Sequence, residues 1–198
     1  MSAVTIPATL TPEDVERASR RDERRYELIN GELREKIVGW EPLFIAGRIA
    51  GRLNTCLYPR HGAAAVGPMI YCFDRPDYGP KPDVVYVRLE RLPDRQIPRE
   101  DLHLPPDLAA EVLSPDTRAL DLEVRLDDYL SAGIPLVWIV NPNRRTIRVY
   151  RSDGTTRSFQ AKDLVENEPL LSGFRMVVGE VFPQMPASYL FVEYCPWK

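Results

Sequence analysis

The sequence predicts an α/β fold, a mixed central sheet flanked by helices, and three features carry the prediction. Between residues 42 and 58 the apolar residues Ala46, Ile49, Ala50, Leu53 and Leu57 recur at three- and four-residue spacing, the signature of an amphipathic helix lying on a sheet. Three apolar segments of strand length follow, KPDVVYV (81–87), PDLAAEVL (106–113) and LVWIV (136–140), the last continuous enough to be buried on both faces. After them the turn signals Asn141-Pro142-Asn143 and Ser152-Asp153-Gly154 separate further strand-like runs, so the sheet should finish as an antiparallel meander.

Taken in order, Thr11, Pro12 and Asp14 supply a capping hydroxyl, a proline at the first helical position and an acid in the first turn, which predicts a short charged helix over 12–20. YELINGELREKIVG follows, and its Asn30-Gly31 pair suits the positive backbone angles of a two-residue hairpin turn. Residues 63–66 and 69–73 read as two short strands broken at Gly67-Pro68. Residues 88–106 form a loop rich in proline and charge. Residues 107–113 should form a central strand with Leu108, Ala110 and Val112 on one face and Ala109, Glu111 and Leu113 on the other. Asp116 or Thr117 caps the next helix, which carries Leu120, Val124, Tyr129 and Leu130 and stops at Gly133. Strands are expected at 146–151 and 155–160, then a strand edge and a short helix near 177–181.

The totals fit one domain over 1–198, with 1–10 and 187–198 as terminal extensions: the chain has 198 residues, 44% hydrophobic and 28% charged. A net charge of −3 argues against a protein that coats nucleic acid non-specifically, but leaves room for a local basic groove. Cys56, Cys72 and Cys195 are far apart and form no CxxC pair, which points to a reducing, cytoplasmic setting rather than a disulfide framework or zinc knuckle. No apolar run is long enough to span a bilayer. His61 and His103 stand outside any ligand spacing and read as surface residues.

Two carboxylates stand out because each is set into an apolar strand, where an ionised group is costly unless something compensates it. Asp83 opens one strand and Glu111 lies within another; if the strands are neighbours, both side chains converge on one point. Magnesium takes oxygen ligands and commonly only one or two protein carboxylates, with water and phosphate completing the shell. A metal so held polarises a phosphodiester and acidifies water. The plainer readings are that Asp83 begins a strand at its solvated edge, that Glu111 pairs with Arg125 in a buried ion pair, and that Arg125 and Tyr129 are a packed pair one helical turn apart.

YELINGEL (26–33), PDVVYV (82–87), PDLAAEVLSPDT (106–117), Arg125 and Tyr129 followed by AGI (132–134), and LVWIVNPNRRTIRVY (136–150) stand in an order and at separations that resemble the Uma-type restriction-endonuclease-like proteins, a branch of the PD-(D/E)XK nuclease superfamily. The resemblance covers residues 26–183. It implies a restriction-endonuclease-like core and a DNA endonuclease dependent on Mg2+, with Mn2+ as a substitute. By position it makes Asp83 and Glu111 the metal-binding acids and Glu32, in the hairpin, the acid that completes the site, with Glu27, Glu35 and Glu41 as neighbouring alternatives. Where the superfamily pattern has a lysine two residues after the second acid, this chain has Leu113; where the Uma-type branch often has a lysine four residues before a tyrosine, it has Arg125. Arginine keeps the charge and can stabilise a pentavalent phosphate, which makes Arg125 a candidate catalytic residue beside Asp83, Glu111 and Glu32, but it does not give up a proton near neutral pH. The alternative reading is therefore a catalytically weak or inactive nuclease-fold protein that binds nucleic acid or a protein partner. The aromatic tail (187–198) and Gly47 and Gly51 on one side of the second helix suggest a homodimer, which would suit a nuclease that cuts both strands.

Overall fold

A computed structural model of the chain describes residues 10–36, 39–71, 75–99, 101–114 and 119–183. Helix α1 (Pro12–Asp22) starts where expected: the Thr11 backbone N–H donates to the Asp14 carboxylate at 2.8 Å, closing its first turn. Strands β1 (Tyr26–Ile29) and β2 (Glu32–Glu35) form the hairpin, with Asn30 at φ 53° and Gly31 at φ 76°, the two positive angles of a type I′ turn. Leu28 exchanges backbone hydrogen bonds with Gly79, which ties the hairpin to the segment leading into the central sheet.

Helix α2 (Trp40–Leu57) buries Ile45, Ala46, Ile49, Ala50, Leu53 and Leu57, the predicted stripe. Then come β3 (Gly62–Val66), β4 (Val84–Arg88), β5 (Leu108–Val112), helix α3 (Ala119–Ser131), β6 (Leu136–Asn141), β7 (Thr146–Arg151) and β8 (Thr156–Phe159). These strands form one six-stranded sheet in the order β3-β4-β5-β6-β7-β8. Only β5 and β6 run parallel, and α3 makes the crossover between them; the remaining pairs are antiparallel. The α/β architecture with a mixed central sheet is thus the predicted one, finished by the predicted meander.

Alternation divides the sheet into two faces. Val84, Tyr86, Leu108, Ala110, Val112, Leu136, Trp138 and Val140 pack with α2 and with the carboxyl-terminal segment that carries β9 (Leu164–Glu166) and β10 (Arg175–Val177). Val85, Val87, Ala109, Val137 and Ile139 pack on the other face, with Tyr129 of α3 and with Leu89, Leu92 and Leu102 from the loop between β4 and β5. That loop is ordered by two 3-10 turns, Leu89–Arg91 and Pro93–Arg95.

Several sequence expectations need correction. Residues 69–71 form no strand, only an isolated bridge from Ile70 to Leu102, because the chain there pairs with the long loop instead of the sheet. Leu120 and Val124 lie on the open side of α3 and are exposed; the helix is held by Tyr129 and its partly buried neighbours Leu122, Leu126 and Leu130. The strand edge and short helix expected near 177–181 are β10 and the 3-10 turn Val178–Val181, while the partner strand β9 is unexpected, since three-residue strands leave almost no periodic signal. Asp116, Thr117, Cys72, Cys195 and the aromatic tail lie outside the described residues.

Candidate active site

The register of β4 against β5 sets the two acids together. Val84 pairs with Ala110, so one further step along the antiparallel ladder brings position 83 opposite position 111, on the α3 face of the sheet. Both residues are buried, Asp83 at 8% and Glu111 at 7% exposure. Asp83 Oδ2 accepts the Val112 backbone N–H at 2.8 Å, so its carboxylate takes over a ladder hydrogen bond where β4 begins and the other oxygen is left to face Glu111.

Three further charged groups meet this pair. Helix α3 places Arg125 and Tyr129 one turn apart on its inner side. Tyr129 donates to Glu111 Oε1 at 2.6 Å, and Arg125 Nη1 reaches the same oxygen at 3.2 Å. Arg125 also grips Glu27 of β1 with both ends of its fork, at 3.0 and 2.7 Å. From the end of β2, Lys36 Nζ lies 3.0 Å from Asp83 Oδ1 and 3.5 Å from Glu111 Oε2, and donates to the Lys81 carbonyl. Three acids, Asp83, Glu111 and Glu27, thus face two basic side chains, Lys36 and Arg125.

The electrostatics separate the two acids. Burial, joined by repulsion from Glu111, holds the Asp83 carboxyl above its ordinary value against the pull of Lys36. Burial acts on Glu111 in the same direction, but Lys36, Arg125 and the Tyr129 hydroxyl prevail and hold it below the ordinary glutamate value. Burial would lower Lys36, yet attraction from Glu111, Asp83 and Glu27 leaves it raised. Tyr129 is pushed well up by burial and by Glu111, so its hydroxyl stays a donor.

Of the residues expected from sequence, Asp83, Glu111 and Arg125 converge; Glu32 does not. Alternation along the hairpin puts Glu27, Ile29, Glu32, Arg34 and Lys36 on one face, but Glu32 sits beside the turn, with a side chain 75% exposed and its nearest cation, Arg34, at 3.9 Å. The acid that enters the site from the hairpin is Glu27, and the cation that enters is Lys36, which sequence reasoning missed. The available signal was that face: Lys36 is one of only four lysines in the chain, and it lies at the end of the hairpin away from the turn. The ion pair between Glu111 and Arg125 is the one that a purely structural reading expects. His61 and His103 are exposed, as expected.

Among the described residues no three His, Cys, Asp or Glu side chains are close enough to hold a metal between them. The donor set is therefore the Asp83–Glu111 pair, which is enough for an ion that keeps most of its water. The pair fits a cation on direct evidence: one oxygen of each carboxylate, together with the Lys81 carbonyl, already surrounds the Lys36 ammonium.

A six-stranded mixed sheet thus sets two buried carboxylates side by side where β4 and β5 meet on its α3 face, braced by a helix and a hairpin. The chain belongs to the Uma2 family, whose model is described as "Putative restriction endonuclease" and matches residues 12–179. It is also similar to the solved structure of a protein from Anabaena variabilis described as "a putative nuclease belonging to DUF820", at a TM-score of 0.70 and 22% identity over 81% of this chain and 90% of that one. The likeness shows the shared fold. No curated protein matches the chain.

Proposed function

We propose that this chain is a metal-dependent DNA endonuclease that hydrolyses phosphodiester bonds, with Asp83 and Glu111 as the ligands of Mg2+ or Mn2+. The observation that supports it most is the convergence of those two buried acids on a single cation position. A divalent ion bound there would polarise the phosphodiester and make water a better nucleophile. The protein's own part is to hold the acids still. Val112 fixes Asp83, while Tyr129 and Arg125 fix Glu111, and Glu27 holds Arg125 in turn. The reaction adds water across one P–O bond: hydroxide joins phosphorus, and the departing bridging oxygen takes the proton.

A second reading, a catalytically weak or inactive nuclease-fold protein that binds nucleic acid or a protein partner, is favoured by Leu113 and Arg125 standing where lysines are expected. Cleavage of supercoiled, linear and single-stranded DNA with Mg2+ and Mn2+, by wild type and Glu111→Gln in parallel, separates the two. Cleavage that disappears in the variant supports the nuclease; equal inactivity across all substrates and both metals supports the binding protein. We further propose a homodimer, since Gly47 and Gly51 leave open space on the outer face of α2 near the exposed Trp40 and Phe44. Sedimentation equilibrium at micromolar concentration tests it, and a monomer there overturns it.

A further inference from the structure

We propose that Lys36 supplies the cationic side chain that positions 113 and 125 do not, and that it shares its seat with the divalent metal, the two cations competing for Asp83 and Glu111. This inference rests on the metal-site reading above. Its basis is the placement of one atom: Lys36 Nζ lies between the two acids, 3.0 Å from one and 3.5 Å from the other, with a side chain only 13% exposed. No other cation in the site stands so. Leu113 is apolar, with its backbone N–H bonded to Val140. Arg125 is turned toward Glu27, to which it makes its two-pronged contact, and it touches Glu111 through a single nitrogen.

Lys36 differs from Arg125 in freedom as well as position. Its backbone is pinned by its N–H to the Arg25 carbonyl at 2.8 Å, whereas the ammonium rides on a four-carbon stem. The ammonium can therefore shift by a few ångströms while the hairpin stays in place. Two positive ions repel at this range, so the ammonium would weaken metal binding and would itself move outward when Asp83 and Glu111 hold a metal. An ammonium displaced from between two phosphate-facing acids is placed to pair with the phosphate's own charge. In that role Lys36 would hold a phosphoryl oxygen by charge while water adds to phosphorus and the bridging oxygen leaves with a proton. The hairpin, rather than the central strand or the helix, would then deliver the lysine.

The test is Mn2+ titration calorimetry on wild type, Lys36→Gln and Lys36→Arg, with DNA cleavage measured on the same preparations and thermal melting confirming that each is folded. Lys36→Gln should bind Mn2+ about tenfold more tightly than wild type and cleave about a hundredfold more slowly. Lys36→Arg should keep near-wild-type affinity. If Lys36→Gln binds Mn2+ as wild type does, the shared seat is overturned, whether or not wild type cleaves any substrate. If it binds more tightly yet cleaves at the wild-type rate, the phosphate role is overturned. If neither wild type nor Lys36→Gln binds Mn2+, the metal site itself fails and the inference fails with it.

Discussion

Arg125 and Glu27 lie 98 residues apart in sequence and are joined by two hydrogen bonds of 3.0 and 2.7 Å, so that helix α3 and the β1–β2 hairpin are locked together beside the acids. The geometry needs the flat fork of arginine; a lysine would offer one point of contact where two are used. On the proposed reading Arg125 acts as a positioning residue, its contact with Glu111 following from where Glu27 holds it.

Replacing Arg125 with lysine should cost stability without restoring a missing function. The loss of one charge-assisted hydrogen bond predicts about 1.5–3 kcal/mol, and cleavage should not rise. Chemical denaturation and a cleavage time course check both. A large gain in rate would instead mean that lysine at this helix position limits the present chain.

Tyr129 donates a 2.6 Å hydrogen bond to Glu111 from a fully buried position. Tyr129→Phe keeps the ring and removes that donor, so about 2 kcal/mol should be lost, seen as a fall in Tm of about 4–8 °C. Glu111 would keep Arg125 and Lys36, so Mn2+ binding should survive in this variant. Differential scanning calorimetry and metal titration read the two effects separately.

The sequence holds two Pro-Asp pairs at strand starts, and the second is occupied differently from the first. Asp107, 1% exposed, accepts the Arg88 backbone N–H at 2.8 Å and pairs with Arg88 and Arg91 side chains at 2.9 and 3.0 Å. Its oxygens are spent on the start of the loop after β4. Asp107→Ala should destabilise the fold by about 1.5–3 kcal/mol, the loss of charge-assisted hydrogen bonds whose arginine partners can still reach water, while leaving Mn2+ affinity as in wild type. Loss of metal binding in a folded Asp107→Ala protein would contradict this division of labour.

Gly62 is required by contact: a Cβ there would lie 2.3 Å from the Tyr86 ring, whose hydroxyl is buried beneath β3. Gly62→Ala forces Tyr86 or the edge strand aside and should cost about 1–3 kcal/mol. Urea unfolding measures it, and an unchanged midpoint would mean that the edge strand yields freely.

Much of the fold was legible because periodic burial leaves a pattern. The stripe on α2, the alternation around Glu111 and the Asn30-Gly31 turn each gave their element directly. Leu120 and Val124 misled, because apolar residues at helical spacing do not say which side of a short helix has a sheet to meet. In the site, Asp83 and Glu111 were legible as carboxylates placed where charge is costly. Glu27 was legible only as one alternative to Glu32 and Lys36 not at all, since their roles depend on how the hairpin docks on the 75–80 segment through Leu28 and Gly79, a long-range contact that no local pattern encodes. Glu32 shares their face and differs only in its distance along the strand.

On the proposed reading Asp83 and Glu111 together bind one divalent metal ion. Mn2+ titration followed by electron paramagnetic resonance, on wild type, Asp83→Asn and Glu111→Gln, tests it most directly. One ion per chain should bind wild type, and binding should weaken severely in both variants, each of which removes one carboxylate from a site that has two. Equal Mn2+ binding by all three folded proteins would contradict the account and leave the acids as members of a structural ion network.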